Sequence, residues 1–287
     1  MKKKDHGILI WKIAGVILML FLIMCGLLFY IQSDSFQAKR LIRAIRRRDI
    51  GQVAEIVKKK PTCINVMPSK LEQFWRTLNG ERVAMCPLNE ACFANEQEMI
   101  KLLVEADADV NINDGQTPLS TVYRYKQNDW YELSVYLIEQ GASVDYTTRY
   151  GGEFSSILCD IIMPKPITGD SEYTPEAENE VYEAFKYALE NCNLDEVNWV
   201  AVLCQSIGFE RMEIVKLLLE NGYCNINDTY ESGLSPLMVA VRDSDAEMVE
   251  LLLSFGADKT LVTKEGKTVI DYANQKGDED ILRILMD

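Results

Sequence analysis

Short stretches of this chain recur about every 33 residues, and that period constrains the fold more than any other feature. Gly233 and Gly266 are 33 apart, as are Ala240 and Ala273, and Leu251 and Ile284. Leu218 and Leu252 are 34 apart. One recurring phrase is an apolar helix end, a turn residue, a small residue and a short polar extension. It reads "KLLVEADADVN" from Lys101, "YLIEQGASVD" from Tyr136, "KLLLENGYCNIN" from Lys216 and "ELLLSFGADKT" from Glu250. A second phrase reads "CPLNEA" from Cys86, "TPLSTV" from Thr117, "SPLMVA" from Ser235 and "TVIDYA" from Thr268. Self-similarity at this period marks stacked helical units, because one such unit cannot bury its apolar face alone.

The local chemistry fits that reading. Thr or Ser before Pro can cap a helix, and Pro is tolerated in the first turn because its missing N–H would be unpaired there. The second helix of each unit is apolar at i, i+3 and i+4, as in Met248, Leu251 and Leu252 or Ile214, Leu217 and Leu218. These residues are expected in the core. Asp107, Asp109 and Asn111 alternate like the first ligands of a calcium loop. Such a loop needs Gly at its sixth position and Glu at its twelfth, and Ile112 and Pro118 stand there. The segment is therefore expected to be an inter-repeat turn.

In order and spacing these motifs resemble the ankyrin repeat. The matching residues are Thr117-Pro118-Leu119, Ser235-Pro236-Leu237, Ala108-Asp109-Val110-Asn111 and Gly256-Ala257-Asp258. The resemblance covers most of Ser35 to Asp287. Asp107 replaces the usual turn glycine, and the histidine of "TPLH" is absent throughout. It implies an all-α fold, a solenoid of about six to seven stacked helix-turn-helix units, some degenerate. It also implies a protein partner held by turn tips and exposed first-helix faces.

The chain opens with a different text. Ile13 to Ile31 holds 19 residues without a charge, roughly 28 Å as a helix and close to the ~30 Å hydrocarbon core of a bilayer. Trp11 and Tyr30 flank it where interfacial aromatics belong. A cleaved signal peptide would be shorter, with an A-x-A-like site. The expectation is a single-pass membrane anchor at 13–31, preceded by a short basic tail, 1–12. Both flanks are basic: Lys2, Lys3, Lys4 and Lys12 before the span, and Lys39, Arg40, Arg43, Arg46, Arg47 and Arg48 after it. The positive-inside rule therefore divides, and the reading leans to an extracytoplasmic repeat domain. Beyond Cys25 there are seven cysteines without a paired framework. They read as small core hydrophobes, which on its own favours a reducing compartment.

Charge separates the rest. Ser35 to Lys60 carries nine Lys/Arg against Asp49 and Glu55, a balance of +7. With the +2 of residues 1–34 also set apart, the overall −14 leaves −23 on residues 61–287. The basic segment reads either as a helix near anionic headgroups or as a capping helix with a solvated face. The acidic remainder disfavours nucleic acid and favours a basic partner. Residues 32–83 are expected to hold a juxtamembrane basic helix, a degenerate first repeat and an insertion. Residues 84–287 form the repeat domain, with a further insertion near 164–176.

Catalytic chemistry has no visible seat. His6 is the only histidine, so Ser-His and Cys-His pairs and histidine-containing zinc sites are excluded from the repeats. There is no C-x-x-C, G-x-G-x-x-G or P-loop. No cofactor, metal or enzymatic activity is expected. The candidate partner-binding residues are Asn113, Asp114, Arg149, Tyr150, Tyr230 and Glu231 at turns, with Lys264 and Glu265 beside them. Arg124 and Tyr125 join them from the aromatic stretch "VYRYKQNDWY". Trp130 in that stretch reads equally well as packed beneath its loop. Three roles fit: a membrane-anchored interaction module, an immunity or inhibitor protein against a secreted toxin or enzyme, and a scaffold of a membrane complex.

Overall fold

The computed structural model describes residues 18–69, 78, 85–144, 147–150, 153–164 and 175–286. Outside them lie the expected basic tail, residues 13–17 of the expected span, and most of the insertions at 66–83 and 164–176. The chain divides into two units, Met1–Asp114 and Gly115–Asp287.

In the first unit, α1 (Leu18–Ile31) leaves its apolar side chains exposed, from Ile31 at 36% to Phe29 at 79%. Among the described residues no single helix is long and apolar enough to cross a membrane. Only α1 and α2 (Asp34–Arg46) together, bent by 54°, pass that test of length and composition. The bend is fixed locally. The Ser33 hydroxyl donates to Tyr30 O (2.6 Å) and accepts from the Phe36 N–H, while Gln37 donates to Ile31 O (2.7 Å). Apolar residues at helical spacing on α2 (Ala38, Leu41, Ala44, Ile45) meet Val53, Ile56 and Val57 of α3 (Ile50–Lys59). In the same unit α2 packs on α4 (Pro87–Ala94), and α3 on α5 (Gln97–Glu105).

The second unit continues the scheme. Its helix pairs are α6 (Pro118–Tyr125) with α7 (Trp130–Glu139), α8 (Ile157–Ile162) with α9 (Pro175–Asn191), and α10 (Trp199–Gly208) with α11 (Met212–Glu220). Then come α12 (Pro236–Asp243) with α13 (Ala246–Ser254), and α14 (Val269–Lys276) with α15 (Glu279–Met286). First helices α6, α8, α10, α12 and α14 pack on one another in order. Second helices follow beside them, α7 on α9 and α13 on α15. The all-α expectation holds for the repeats, with one addition. β1 (Thr147–Tyr150) and β2 (Glu153–Ser156) pair antiparallel at the tip before α8, Thr147 opposite Ser156 and Tyr150 opposite Glu153.

The recurring phrases have physical causes. Thr117, Ser235 and Thr268 accept the N3 backbone N–H of their helices, and Pro118 and Pro236 sit in first turns. Four second helices, α5, α7, α11 and α13, close alike: the N–H of Ala108, Ala142, Tyr223 and Ala257 donates to the carbonyl of Leu103, Leu137, Leu218 and Leu252, at 2.9–3.0 Å. That closure places the preceding residue in the left-handed region. Three of the four are glycine, and the fourth is Asp107 at φ 65°.

Candidate protein-binding surface

Successive turns are clipped together by asparagine. In the first unit the Asn65 amide donates to Asp107 O (3.0 Å) and accepts from the Asp109 N–H (2.9 Å). In the second, Asn227 donates to Gly256 O (3.3 Å) and accepts from the Asp258 N–H (2.8 Å). The Asp109 and Asp258 carboxylates each accept the N–H two residues on. The segment Asp107–Asn111 is thus an inter-repeat turn.

The tips before the first helices are also built from their own backbone. The Tyr230 N–H donates to Leu234 O (3.1 Å), and the Gly233 N–H to Tyr230 O (2.8 Å). The next tip lies against this one: the Lys264 N–H donates to Ser232 O (2.9 Å). Gly233 sits at φ +82°, and a Cβ there would meet Thr263 Cα at 2.9 Å. Only glycine satisfies both the backbone angle and the approach. Glu231, Lys264 and Glu265 are consequently presented to solvent, and Tyr230 is half-buried.

Beside Tyr230 a groove runs between α10 and α12, lined by Gln205, Gly208, Phe209, Leu234, Arg242 and Asp243. The Arg242 guanidinium pairs with Asp243 at 3.0 and 3.3 Å, and that hydrogen bonding raises its pKa. Cys204 lies at the base of the groove. Burial pushes its thiol up to about 12, against the opposite pull of a hydrogen bond with Tyr230. It is a packing residue at neutral pH.

The other residues expected at the surface are placed differently. Asn113 is exposed, whereas the Asp114 carboxylate turns inward to accept the Cys86 N–H and the Asn89 amide (2.9 Å). It thereby ties down Cys86, the residue that caps the start of α4 and supplies no capping side chain of its own. Arg124 is paired with Asp160 at 3.1 Å, and Tyr125 is half-buried. Arg149 and Tyr150 lie in β1, and their side chains are outside the described residues. Trp130 is packed beneath its loop at 2% exposure, against Tyr123 (ring centroids 6.0 Å), its indole N–H donating to Glu180 (2.9 Å).

A buried polar cluster escaped the sequence reading. Three cations converge on the C-terminal end of α8. Arg124 binds the Asp160 carboxylate, which also accepts from the Ser120 hydroxyl (2.6 Å). Lys126 donates to Asp160 O (3.0 Å) and to Met163 O, and Arg211 donates to Ile162 O (3.2 Å). Lys126 and Arg211 are each 3% exposed. Cations suit this place because helix C-terminal carbonyls carry partial negative charge and lack intrahelical donors. The available signal was one acid inside the apolar run "ILCDII". Its partners Lys126, Arg124 and Ser120 are 34 to 40 residues away in sequence.

Comparison with known proteins gives the same pattern. The family described as "Ankyrin repeats (3 copies)" matches residues 176–261 and 200–287, and "Ankyrin repeat" matches 85–115. Putative ankyrin repeat protein YahD of Escherichia coli K12 is 36% identical over 80 residues, 26% of this chain; the match covers 40% of YahD. The crystal structure of EF0377, an ankyrin repeat protein, superposes with a TM-score of 0.51 at 26% identity, over 70% of this chain and 96% of that one. The human ASB11 ankyrin repeat domain shares the fold, with a TM-score of 0.57 at 21% identity over 86% of this chain and 97% of that one. Capped first helices, glycine-closed second helices, their stacking and these similarities converge, and the chain is an ankyrin-repeat protein.

Proposed function

We propose that this chain is a membrane-anchored interaction module that binds a protein partner through its repeat tips and the exposed faces of its first helices. Ankyrin repeats bind protein partners. The observation that carries the reading is the pair of interlocked tips at Tyr230–Leu234 and Val262–Thr268. They present Glu231, Lys264 and Glu265 beside a groove with an aromatic wall. A rigid tip loses little conformational entropy on binding. The −23 balance of residues 61–287 supports a basic partner, steered by charge. The exposed apolar surface of α1, continuous in sequence with the uncharged residues 13–17, supports the anchor.

The two halves are tested separately. For the anchor, membranes are washed at alkaline pH and the exposed Cys25 thiol is probed with a polar maleimide. Retention and protection until detergent is added are expected; release with ready labelling removes the anchor. For the partner, photo-crosslinkers at Glu231 and Lys264 in the intact chain should trap one saturable protein. Tyr230→Ala should weaken that adduct, and Lys216→Glu on α11 should not. Adducts indifferent to Tyr230 would refute the tip surface.

A further inference from the structure

Because α2 departs from α1 at 54°, each of its residues climbs about 0.9 Å along the α1 axis, the ~1.5 Å helical rise reduced by the tilt. Counted from Asp34, Lys39, Arg43 and Arg47 stand about 4, 8 and 11 Å beyond the start of α2. A bilayer's polar layer is about 5–8 Å deep on each side. Long basic side chains reach back along their stems, so the first two of these residues fall in or beside that layer.

The same side of α2 lines a groove. Ser35, Ala38 and Ile42, and beside them Lys39, Arg43 and Arg46, recur at three- and four-residue spacing and form one wall, and Val66 to Ser69 form the other. Ile42, Met67 and Pro68 give it an apolar floor, with Met67 45% exposed. Three basic residues rim it, and no carboxylate lines it among the described residues. Arg46 is engaged with both Glu90 oxygens at 3.0 Å. Arg43 is exposed and has no ion-pair partner among the described residues. A merely solvated basic face does not require an exposed apolar floor. An amphiphile carrying a negative head requires both.

We propose that this groove holds an anionic phospholipid of the bilayer that α1 enters. The phosphate sits against Arg43, and the first methylenes lie over Ile42, Met67 and Pro68. The site rests on the membrane reading above. It would fix the height and rotation of the repeats at the lipid surface.

The full chain in non-ionic detergent is offered equal phosphatidylglycerol and phosphatidylcholine, and retained lipid is read by native mass spectrometry. Phosphatidylglycerol should exceed phosphatidylcholine about fivefold, the ratio that ~1 kcal/mol per basic residue at an anionic surface implies. Arg43→Gln should bring the ratio to about one, by loss of that same contact, and Arg43→Glu should take it below one by repelling the anionic head. Arg40→Glu makes the same charge change on the α3-facing groove and should leave the preference intact. Both positions are exposed, so thermal melts should match the parent. Equal retention of the two lipids, equal loss in Arg40→Glu, or displacement by inorganic phosphate would each overturn the lipid site. A chain that survives alkaline washing without lipid preference loses this site alone; one that washes out loses the anchor as well.

Discussion

Asp107 stands where three sister turns carry Gly141, Gly222 and Gly256, and it adopts the same left-handed backbone, φ 65°. An L-residue is disfavoured there by about 1–2 kcal/mol, less for Asp because it bonds locally. Asp107→Gly should therefore stabilise the chain by about 0.5–1 kcal/mol, read as a raised denaturation midpoint. Gly233→Ala should do the reverse. The new methyl meets Thr263 Cα at 2.9 Å in a positive-φ position, costing about 2 kcal/mol or more. A neutral effect in urea unfolding would contradict the close tip-to-tip approach. Asn227→Ala removes two bonds across neighbouring turns, each worth about 0.5–1.5 kcal/mol net.

At the scale of the element, α8 shows how a short helix is held. Six residues make little helix on their own, and Ile157–Ile162 are all buried. The cations at its C-terminal end supply donors to carbonyls that have no partner within the helix. Asp160→Asn keeps the shape but leaves Arg124 without its counter-charge. Breaking one partner of a buried pair typically costs about 3–5 kcal/mol. We expect about 3 kcal/mol here, since Arg124 retains 22% side-chain exposure. The loss should appear in global unfolding and as faster amide exchange in α8. An unchanged midpoint would show that the pair is neutral.

At the scale of the molecule, pH should act from both ends. Burial raises the thiols of Cys63 and Cys224 to about 11 and of Cys204 to about 12, from 9.0. A raised folded value means that the neutral thiol is preferred in the fold. That stability is full below pH 9 and is lost as pH rises through 11 to 12. Cys204→Ala should flatten this alkaline decline in a melting-temperature profile. On the acid side, bonds from Thr260 and Thr268 hold Asp258 and Asp271 below the ordinary 3.8. Their contribution is present above pH 3.8 and disappears as pH falls through the lower folded values. Between these limits stability should be nearly flat, with no histidine in the repeats to titrate near neutrality.

What the sequence determined by itself was whatever depends on near neighbours. Thr117, Ser235 and Thr268 cap their own helices three residues on, and the glycine turns close over five residues. Such interactions recur with the repeat, so order and period revealed the helix pairs. The candidate surface was legible only in part. Glu231 and its neighbours are displayed because a tip is a tip in every repeat, yet Asp114 was turned inward by Cys86 and Asn89, and Arg124 by Asp160. Trp130 could be read as exposed or packed until Tyr123 and Glu180 were seen around it. Those outcomes were decided by tertiary structure, because they depend on which distant donors and acceptors stacking brings within about 3 Å. A 33-residue period fixes the order of helices; it leaves open which side chains meet between them.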